Sequence, residues 1–108
     1  MNIGKQISQA GHAYIGTYIN PKQDPEIISN YHKDYPHSPG TKICLACKNL
    51  PSLLRAEAEA IEAGIPTFKV IDSGCKDFFG GRPIITALGI GPCTKDKIKH
   101  ITKRFQLL

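Results

Sequence analysis

The chain has 108 residues, of which 41% are hydrophobic and 21% charged, with a net charge of +5 and a pI near 9.1. This length suits a single domain over residues 1–108, and this balance of residues excludes a disordered chain. No apolar run approaches the roughly 20 residues of a membrane span, so we predict a cytoplasmic protein without membrane association. The positive charge favours a polyanionic partner, with nucleic acid the first candidate.

Residues 5–18 are predicted to form the first helix, with two stripes at helical spacing. The stripe predicted to face the core consists of Ile7, Gly11, Tyr14 and Tyr18. The second stripe is polar until a glycine ends it, and it consists of Lys5, Gln9, His12 and Gly16. Asp24 and Pro25 then predict the N-cap and first residue of a short helix that runs to about Tyr31.

The middle of the chain alternates between strand and helix signals. Residues 41–47 form a short apolar run bounded by turn residues and are predicted to be a buried strand. Residues 50–63 are predicted to form a helix, with Asn49 at its N-cap and Gly64 as the left-handed residue that ends it. An Arg55–Glu59 pair lies on its polar side. Its predicted core face consists of Leu50, Leu53, Leu54, Ala58 and Ile61.

Two more strands and a helix complete the predicted elements. Residues 67–72 and 84–90 are predicted strands, and a glycine-rich loop separates them. Thr94 is predicted to cap a last helix whose core face consists of Ile98, Ile101 and Phe105. Helices that alternate with short apolar strands indicate an α/β protein with a sheet flanked by helices.

Several polar side chains in this arrangement are candidates for chemistry. The face of Lys5, Gln9 and His12 is either a solvated stripe or one wall of a cleft that stabilises an oxyanion, orients a substrate and moves a proton. Asp72 ends a predicted strand, where open sheets place binding sites, but a turn-capping aspartate has the same position. Thr86, taken alone, is typical of an ordinary strand residue.

Cys44 and Cys47 have the spacing of a zinc or redox motif. Within a strand, however, residues three apart point to opposite faces, and no second pair completes a tetrahedral set. We therefore predict no metal site and no cofactor, and we interpret these cysteines as reduced thiols of the core.

The last predicted helix is rich in lysine. Lys95, Lys99 and Lys103 align at i, i+4 steps, an arrangement that suits either contact with a phosphate backbone or a solvated helix face.

Three segments stand out as motifs in order along nearly the whole chain. They are GKQISQAGHA (residues 4–13), the GIP and D-x-G turns (residues 64–66 and 72–74) and TALGIGP (residues 86–92). Together they resemble the archaeal/eukaryotic-type peptidyl-tRNA hydrolases, whose first helix opens with G-K-x-x-x-Q-x-x-H-A and whose later motif is T-V-L-G-I-G-P.

The resemblance implies a small mixed β-sheet flanked by helices on both faces, a homodimer and an active site without metal. It implies hydrolysis of the ester between a peptide and the tRNA 3′ end, which releases free tRNA. On this resemblance the catalytic residues are Lys5, Asp72 and Thr86. The predicted substrate-binding residues are Gln9, His12, Lys76, Arg82, Lys99 and Lys103.

The chain departs from the family pattern in three respects. Lys76 and Cys75 replace a usual threonine and a common arginine, and the loop from Asp72 to Thr86 is two residues longer. The family's buried first strand, which precedes the Gly-Lys motif, is lacking, so either the natural start lies upstream of Met1 or the protein folds without that strand. The alternative function is therefore a catalytically impaired tRNA-binding or protein-interaction relative.

Overall fold

The computed structural model describes residues 2–72 and 83–108. Four helices and four strands follow one another along these residues. In chain order they are α1 (Ile3–Tyr18), α2 (Pro25–Tyr31), β1 (Leu45–Ala46), α3 (Leu50–Glu62), β2 (Thr67–Asp72), β3 (Ile84–Ile90), α4 (Lys95–Thr102) and β4 (Gln106–Leu107). The helices begin and end close to the predicted positions, and the two long strands coincide with the predicted ranges.

The strands form two separate antiparallel pairs. β2 pairs with β3 from Thr67 opposite Ile90 to Asp72 opposite Ile84. β1 pairs with β4 over two residues only, so most of the strand predicted at residues 41–47 is irregular. The β2–β3 pair is the main sheet of the structure. The β1–β4 pair holds the last residues of the chain against the segment before α3.

Helices cover both faces of the β2–β3 pair, as the sequence predicts. α1 contacts both strands from one side, and α3 contacts them from the other. Lys69 of β2 points toward α3, where its Nζ lies 3.3 Å from Glu57 Oε1. α4 packs against α3, and its Ile101 is fully buried as predicted. The α/β class of the fold is therefore confirmed.

α1 lies very close to the sheet because glycine occupies the contact points. A Cβ atom built on Gly89 would lie 2.3 Å from the backbone oxygen of Ala13, and one built on Gly16 would overlap the Phe68 ring. The helix face turned to the sheet is therefore made of small or flat groups. Its buried residues are Gln9, Ala13, Gly16 and Thr17.

The predicted core stripe of α1 is wrong because small residues, not large apolar ones, face the sheet. Ile7 is 67% exposed, Tyr18 is 38% exposed and Gly11 is exposed, while Tyr14 is half-buried. Hydrophobicity at helical spacing points to a large apolar face, but the close backbone contact selects small residues on a different face. Two members of the predicted polar stripe, Gln9 and Gly16, turn out to face the sheet.

The predicted core face of α3 is wrong in a similar way. Ala56 and Ala60 are the buried residues of this helix, and Leu50, Leu54 and Ile61 are 37–61% exposed. The two alanines pack with Ile65 and Ile101, so small side chains again allow close approach.

The C-terminal end of α1 is anchored by polar contacts. The Thr17 hydroxyl donates to the Gly91 carbonyl at 2.7 Å, and the Gln23 amide donates to the same carbonyl at 2.8 Å. Gly91 has a φ of +99°, a backbone conformation that favours glycine, and its N–H donates to Pro66 O. This cluster ties the end of α1 to the loops that flank β2 and β3.

The predicted helix ends are confirmed except for one cap. The side chains of Asp24 and Asn49 accept hydrogen bonds from Glu26 N and Ser52 N, and Gly64 has a φ of +73°. Thr94 occupies the N-cap of α4, but its side chain makes no capping hydrogen bond.

Cys44, Cys47 and Cys93 are free thiols. Cys47 is exposed, so the interpretation of both C-x-x-C residues as core thiols is wrong for this one, because the chain leaves the strand at Ala46. Burial raises the pKa of the Cys93 thiol, which favours its unreactive protonated form.

Among the described residues, no helix has both the length and the apolar character needed to cross a bilayer.

We predict that Gly89→Ala destabilises the protein by about 1–3 kcal/mol, because the new methyl group meets the rigid backbone of α1. Gly11→Ala is the matched control. Gly11 lies in α1 itself, and a Cβ built on it has nothing within 4 Å, so this change should stabilise the protein by up to about 1 kcal/mol. Urea unfolding followed by circular dichroism measures both, and equal effects of the two variants would contradict the close contact.

Glu59 gives a pH-dependent contribution to stability. Its hydrogen bond from Arg104, together with the charges of Arg104 and Arg55, holds its pKa below the ordinary 4.5. Its stabilisation is therefore present above pH 4.5 and is lost as the pH falls through the lower folded-state pKa. We expect the difference in unfolding free energy between the wild type and Glu59→Gln to be full at pH 7 and to shrink below pH 4.5. A difference that stays constant across this pH range would contradict the coupling of Glu59 to Arg104.

Candidate active site

Four side chains from α1, β2 and β3 form one hydrogen-bonded network. Lys5 Nζ lies 3.2 Å from Asp72 Oδ2, and Gln9 Nε2 donates to the same carboxylate oxygen over 3.4 Å. The Thr86 hydroxyl donates to Gln9 Oε1 at 2.8 Å. Residues 5, 9, 72 and 86 are thus brought together, including all three that the sequence analysis names as catalytic.

The polarity of this network follows from its acceptors. A carboxylate only accepts hydrogen bonds, so Gln9 must present its NH₂ group to Asp72 and is left with its carbonyl oxygen toward Thr86. Thr86 must then donate its proton to that oxygen. The lone pairs of the Thr86 hydroxyl are consequently available to accept a hydrogen bond from a water or a substrate group.

Burial differs sharply along the network. The Lys5 side chain is 42% exposed, the Asp72 side chain 15% and Gln9 only 7%. A molecule in solution can therefore approach the ammonium group of Lys5, whereas Gln9 lies beneath its neighbours. The arrangement presents a partly exposed cation and a half-buried hydroxyl, joined through a buried amide.

A β-bulge brings Thr86 into this position. Val70 pairs with Ala87 and Ile71 pairs with Ile85, so Thr86 is an extra residue with no partner on β2. Bulges redirect the side chains that they contain and are common beside active sites. Here the bulge turns the Thr86 side chain toward α1, where it meets Gln9.

Sequence comparisons link this chain to known proteins. A family model described as Peptidyl-tRNA hydrolase PTH2 matches residues 1–108. The chain belongs to this family. It is 33% identical to a peptidyl-tRNA hydrolase of Methanothermobacter thermautotrophicus, over 100% of this chain and 89% of the relative. It is 30% identical to one of Methanopyrus kandleri, over 97% of this chain and 85% of the relative.

A eukaryotic relative shows the same likeness at lower identity. A probable peptidyl-tRNA hydrolase 2 of Dictyostelium discoideum is 27% identical over 99% of this chain and 49% of its own length. Membership of the family thus rests on the whole chain.

The family signature also contains His12, which the structure places outside the network. His12 is exposed on α1. It lies one turn beyond Gln9, on the side of the helix that faces solvent. Its predicted contact with substrate stays a prediction, because nothing in the network holds its ring in place.

The predicted basic contacts are only partly described. Lys99 and Lys103 are exposed, but α4 packs on the α3 side of the sheet, opposite the side that carries Lys5. Lys76 and Arg82 lie outside the described residues, as do the unusual Cys75 and the longer loop. Lys99 and Lys103 therefore do not contact the Lys5 network directly.

The sequence predicts a substrate-binding role for Gln9, which stays a prediction; the structure places its buried side chain between Asp72 and Thr86. No sequence pattern indicated a groove beside Thr86, lined by Cys47, Asn49, Leu50, Leu53 and Ile85. Neither feature has a local sequence signal, because both arise from residues far apart in the chain. Within the described residues there is no group of three or more side chains suited to hold a metal ion.

We predict that Gln9→Met and Thr86→Val each destabilise the protein by about 1–3 kcal/mol, because each leaves a buried or half-buried polar partner without its hydrogen bond. The double variant removes both ends of the shorter hydrogen bond. It should therefore cost less than the sum of the two single changes, with a coupling of about 0.5–3 kcal/mol in urea unfolding. Strict additivity would contradict the bond between Gln9 and Thr86.

Proposed function

We propose that this protein is a carboxylic ester hydrolase that cleaves the ester between a peptide and the 3′ end of tRNA. Water adds to the ester carbonyl carbon, the bond to the ribose oxygen breaks, and a free peptide acid and a tRNA with its terminal hydroxyl result. The observation that carries the proposal is the network of Lys5, Asp72, Gln9 and Thr86, in a chain that matches the PTH2 family over its whole length.

Lys5 is proposed to stabilise the transition state. Attack by water turns the ester carbonyl oxygen into an oxyanion, and a nearby ammonium group lowers the energy of that charge. The exposure of Lys5 allows substrate to reach it, and the salt bridge to Asp72 keeps its flexible side chain at the site. A fixed position matters because an oxyanion donor contributes most when it needs no reorganisation during the reaction.

Asp72 and Thr86 are proposed to manage the attacking water. Since the Thr86 proton is donated to Gln9, the Thr86 oxygen is suited to accept a hydrogen bond from that water. The Asp72 carboxylate is proposed to hold Lys5 and to attract the water proton as it develops positive charge. Gln9 keeps both groups in register without touching the substrate.

The remaining partner assignments are also proposals. The net charge of +5 suits electrostatic contact with tRNA phosphates, which does not depend on base sequence. We assign such contacts to Lys99 and Lys103, to Lys76 and Arg82, and to His12 near the tRNA end. By family resemblance we propose a cytoplasmic homodimer that works without a metal or other cofactor.

The decisive experiment is release of an N-acetylated amino acid from its tRNA ester, measured for the wild type and for Lys5→Ala. We expect the variant to lose roughly 10²–10³-fold in kcat, the loss that follows removal of one oxyanion donor. Its fold should persist, because Lys5 is at the helix surface and half exposed.

Lys33→Ala is the matched control for charge. Lys33 is exposed and follows α2, away from the network, so its loss changes the net charge equally without touching the site. Equal rates for the wild type and Lys5→Ala would show that the assigned role of Lys5 is wrong. Salt-sensitive tRNA binding with no ester cleavage by the folded wild type would instead support a tRNA-binding relative.

A further inference from the structure

The Phe68 ring lies on the same face of the β2–β3 pair as the proposed reaction site. Successive side chains of a strand point to opposite faces, so Phe68 and Asp72 share one face and Lys69 takes the other. The contacts agree with this alternation, because Asp72 pairs with Lys5 of α1. The Phe68 ring packs against the same helix at Gly16, whereas Lys69 pairs with a carboxylate of α3. The ring and the network therefore lie on the α1 side of the sheet.

The polar stripe of α1 leads from the reaction site to this ring. At about 100° per residue, Lys5, His12 and Gly16 lie within about 40° of one another around the helix axis. His12 is exposed between the other two positions. Gly16 contributes no side chain, and the Phe68 ring occupies the space that a side chain would take there. The stripe that begins at the proposed oxyanion donor thus ends on an aromatic surface.

Gly16 lets the ring lie directly against the helix backbone. A Cβ atom at this position would overlap the ring, so a larger residue would displace it. α1 covers part of the side chain, and 42% of Phe68 remains exposed. A ring that is held by packing and still open to solvent can stack with a flat ligand at little cost in side-chain entropy.

The ring is too far from the reacting bond to take part in the reaction, but it lies within reach of the same substrate. Phe68 and Asp72 are separated by about 13 Å along β2, at about 3.3 Å per residue. Gly16 and Lys5 are separated by about 16 Å along α1, at about 1.5 Å per residue. With the ester at Lys5, the last few nucleotides of an unpaired tRNA 3′ end span this distance.

We propose that Phe68 is a stacking platform for an unpaired base near the 3′ end of tRNA, while the ester is held at Lys5. The inference rests on the proposed function. Every base has a π-face, so stacking on an aromatic ring adds affinity for single-stranded nucleic acid without a hydrogen-bond code. α1 contains no acidic residue, so the phosphates beside it meet no repulsion from this helix.

The first test compares two substrates that differ only in nucleotide length. They are N-acetylated amino acid esters of adenosine and of the trinucleotide CCA. The single base of the adenosine ester is too near the ester to reach the ring, whereas the trinucleotide spans the distance. We therefore expect kcat/KM of the wild type to be higher for the trinucleotide ester by about fivefold or more.

Substitution of Phe68 tests the source of this preference. In Phe68→Leu, which keeps an apolar group against Gly16 but has no π-face, the ratio of the two kcat/KM values should fall about 5- to 100-fold, mainly through KM. Phe68→Tyr keeps the aromatic face and should keep the ratio. Ile71→Ala is the matched control, because Ile71 lies on the opposite face of the same strand and is 56% exposed. It should also keep the ratio, and circular dichroism verifies the fold of each variant.

A fluorescence measurement tests the stacking without any hydrolysis. The chain contains no tryptophan, so Phe68→Trp introduces a single indole at the position of the ring. Stacking of a base quenches indole emission, and we expect both the free trinucleotide CCA and deacylated tRNA to quench it. Ile71→Trp places the same fluorophore on the opposite face and should respond much less.

The outcomes separate the two proposals. Cleavage that depends on Lys5, with an unchanged ratio in Phe68→Leu, overturns the stacking platform and leaves the hydrolase proposal standing. A ratio that falls as far in Phe68→Tyr as in Phe68→Leu also overturns the platform, because the π-face is then not its source. A shifted monomer–dimer equilibrium in Phe68→Leu with an unchanged ratio assigns the ring to a protein interface instead. If the folded wild type cleaves neither ester nor peptidyl-tRNA, the hydrolase proposal fails, and absence of quenching then overturns the platform as well.

Discussion

The contact between Gly89 and the backbone of Ala13 is the constraint on which the site depends. Because glycine has no side chain, α1 approaches β3 until helix backbone meets strand backbone. One turn of helix from this contact, Gln9 reaches both Thr86 and Asp72 with a side chain of ordinary length. A helix held one side-chain diameter further away would leave that amide short of both partners.

The residue types of the network fix the direction of its hydrogen bonds. The Asp72 carboxylate accepts from the Gln9 NH₂ group, and the Gln9 carbonyl oxygen accepts from the Thr86 hydroxyl. The lone pairs of the Thr86 oxygen are left to accept a further hydrogen bond. The bulge in β3 supplies the extra residue that this geometry needs. Helix contact and strand irregularity therefore act together, and each is of little use to the site without the other.

Predictions from the sequence were correct for features set by neighbouring residues and wrong for features set by tertiary contacts. Asp24, Asn49 and Gly64 were correctly predicted at helix ends, because capping depends on neighbouring backbone groups. The buried faces of α1 and α3 were wrong because close packing of backbones favours glycine and alanine, which carry almost no hydrophobicity signal. Cys47 was wrong as a core thiol because β1 ends before it.

The site residues show the same division. The family motifs named Lys5, Asp72 and Thr86, and the structure brings these three together. Gln9 lies 63 and 77 positions from its two partners, and the two walls of the groove beside Thr86 come from residues 32 to 39 positions apart. A pattern within one segment has no access to such distances, so these features required the folded arrangement.

The hydrogen bonds to Gly91 attach the C-terminal end of α1 to the fold more firmly than its N-terminal end. Thr17 and Gln23 tie its C-terminal end, while the first turn, with Ile3 74% exposed, has little apolar packing. Backbone amides should therefore exchange with solvent in a gradient along the helix, fastest at its start. Fraying from that start would withdraw the Lys5 ammonium group before it disturbed the sheet, so the proposed oxyanion donor lies at the end of α1 that opens more readily.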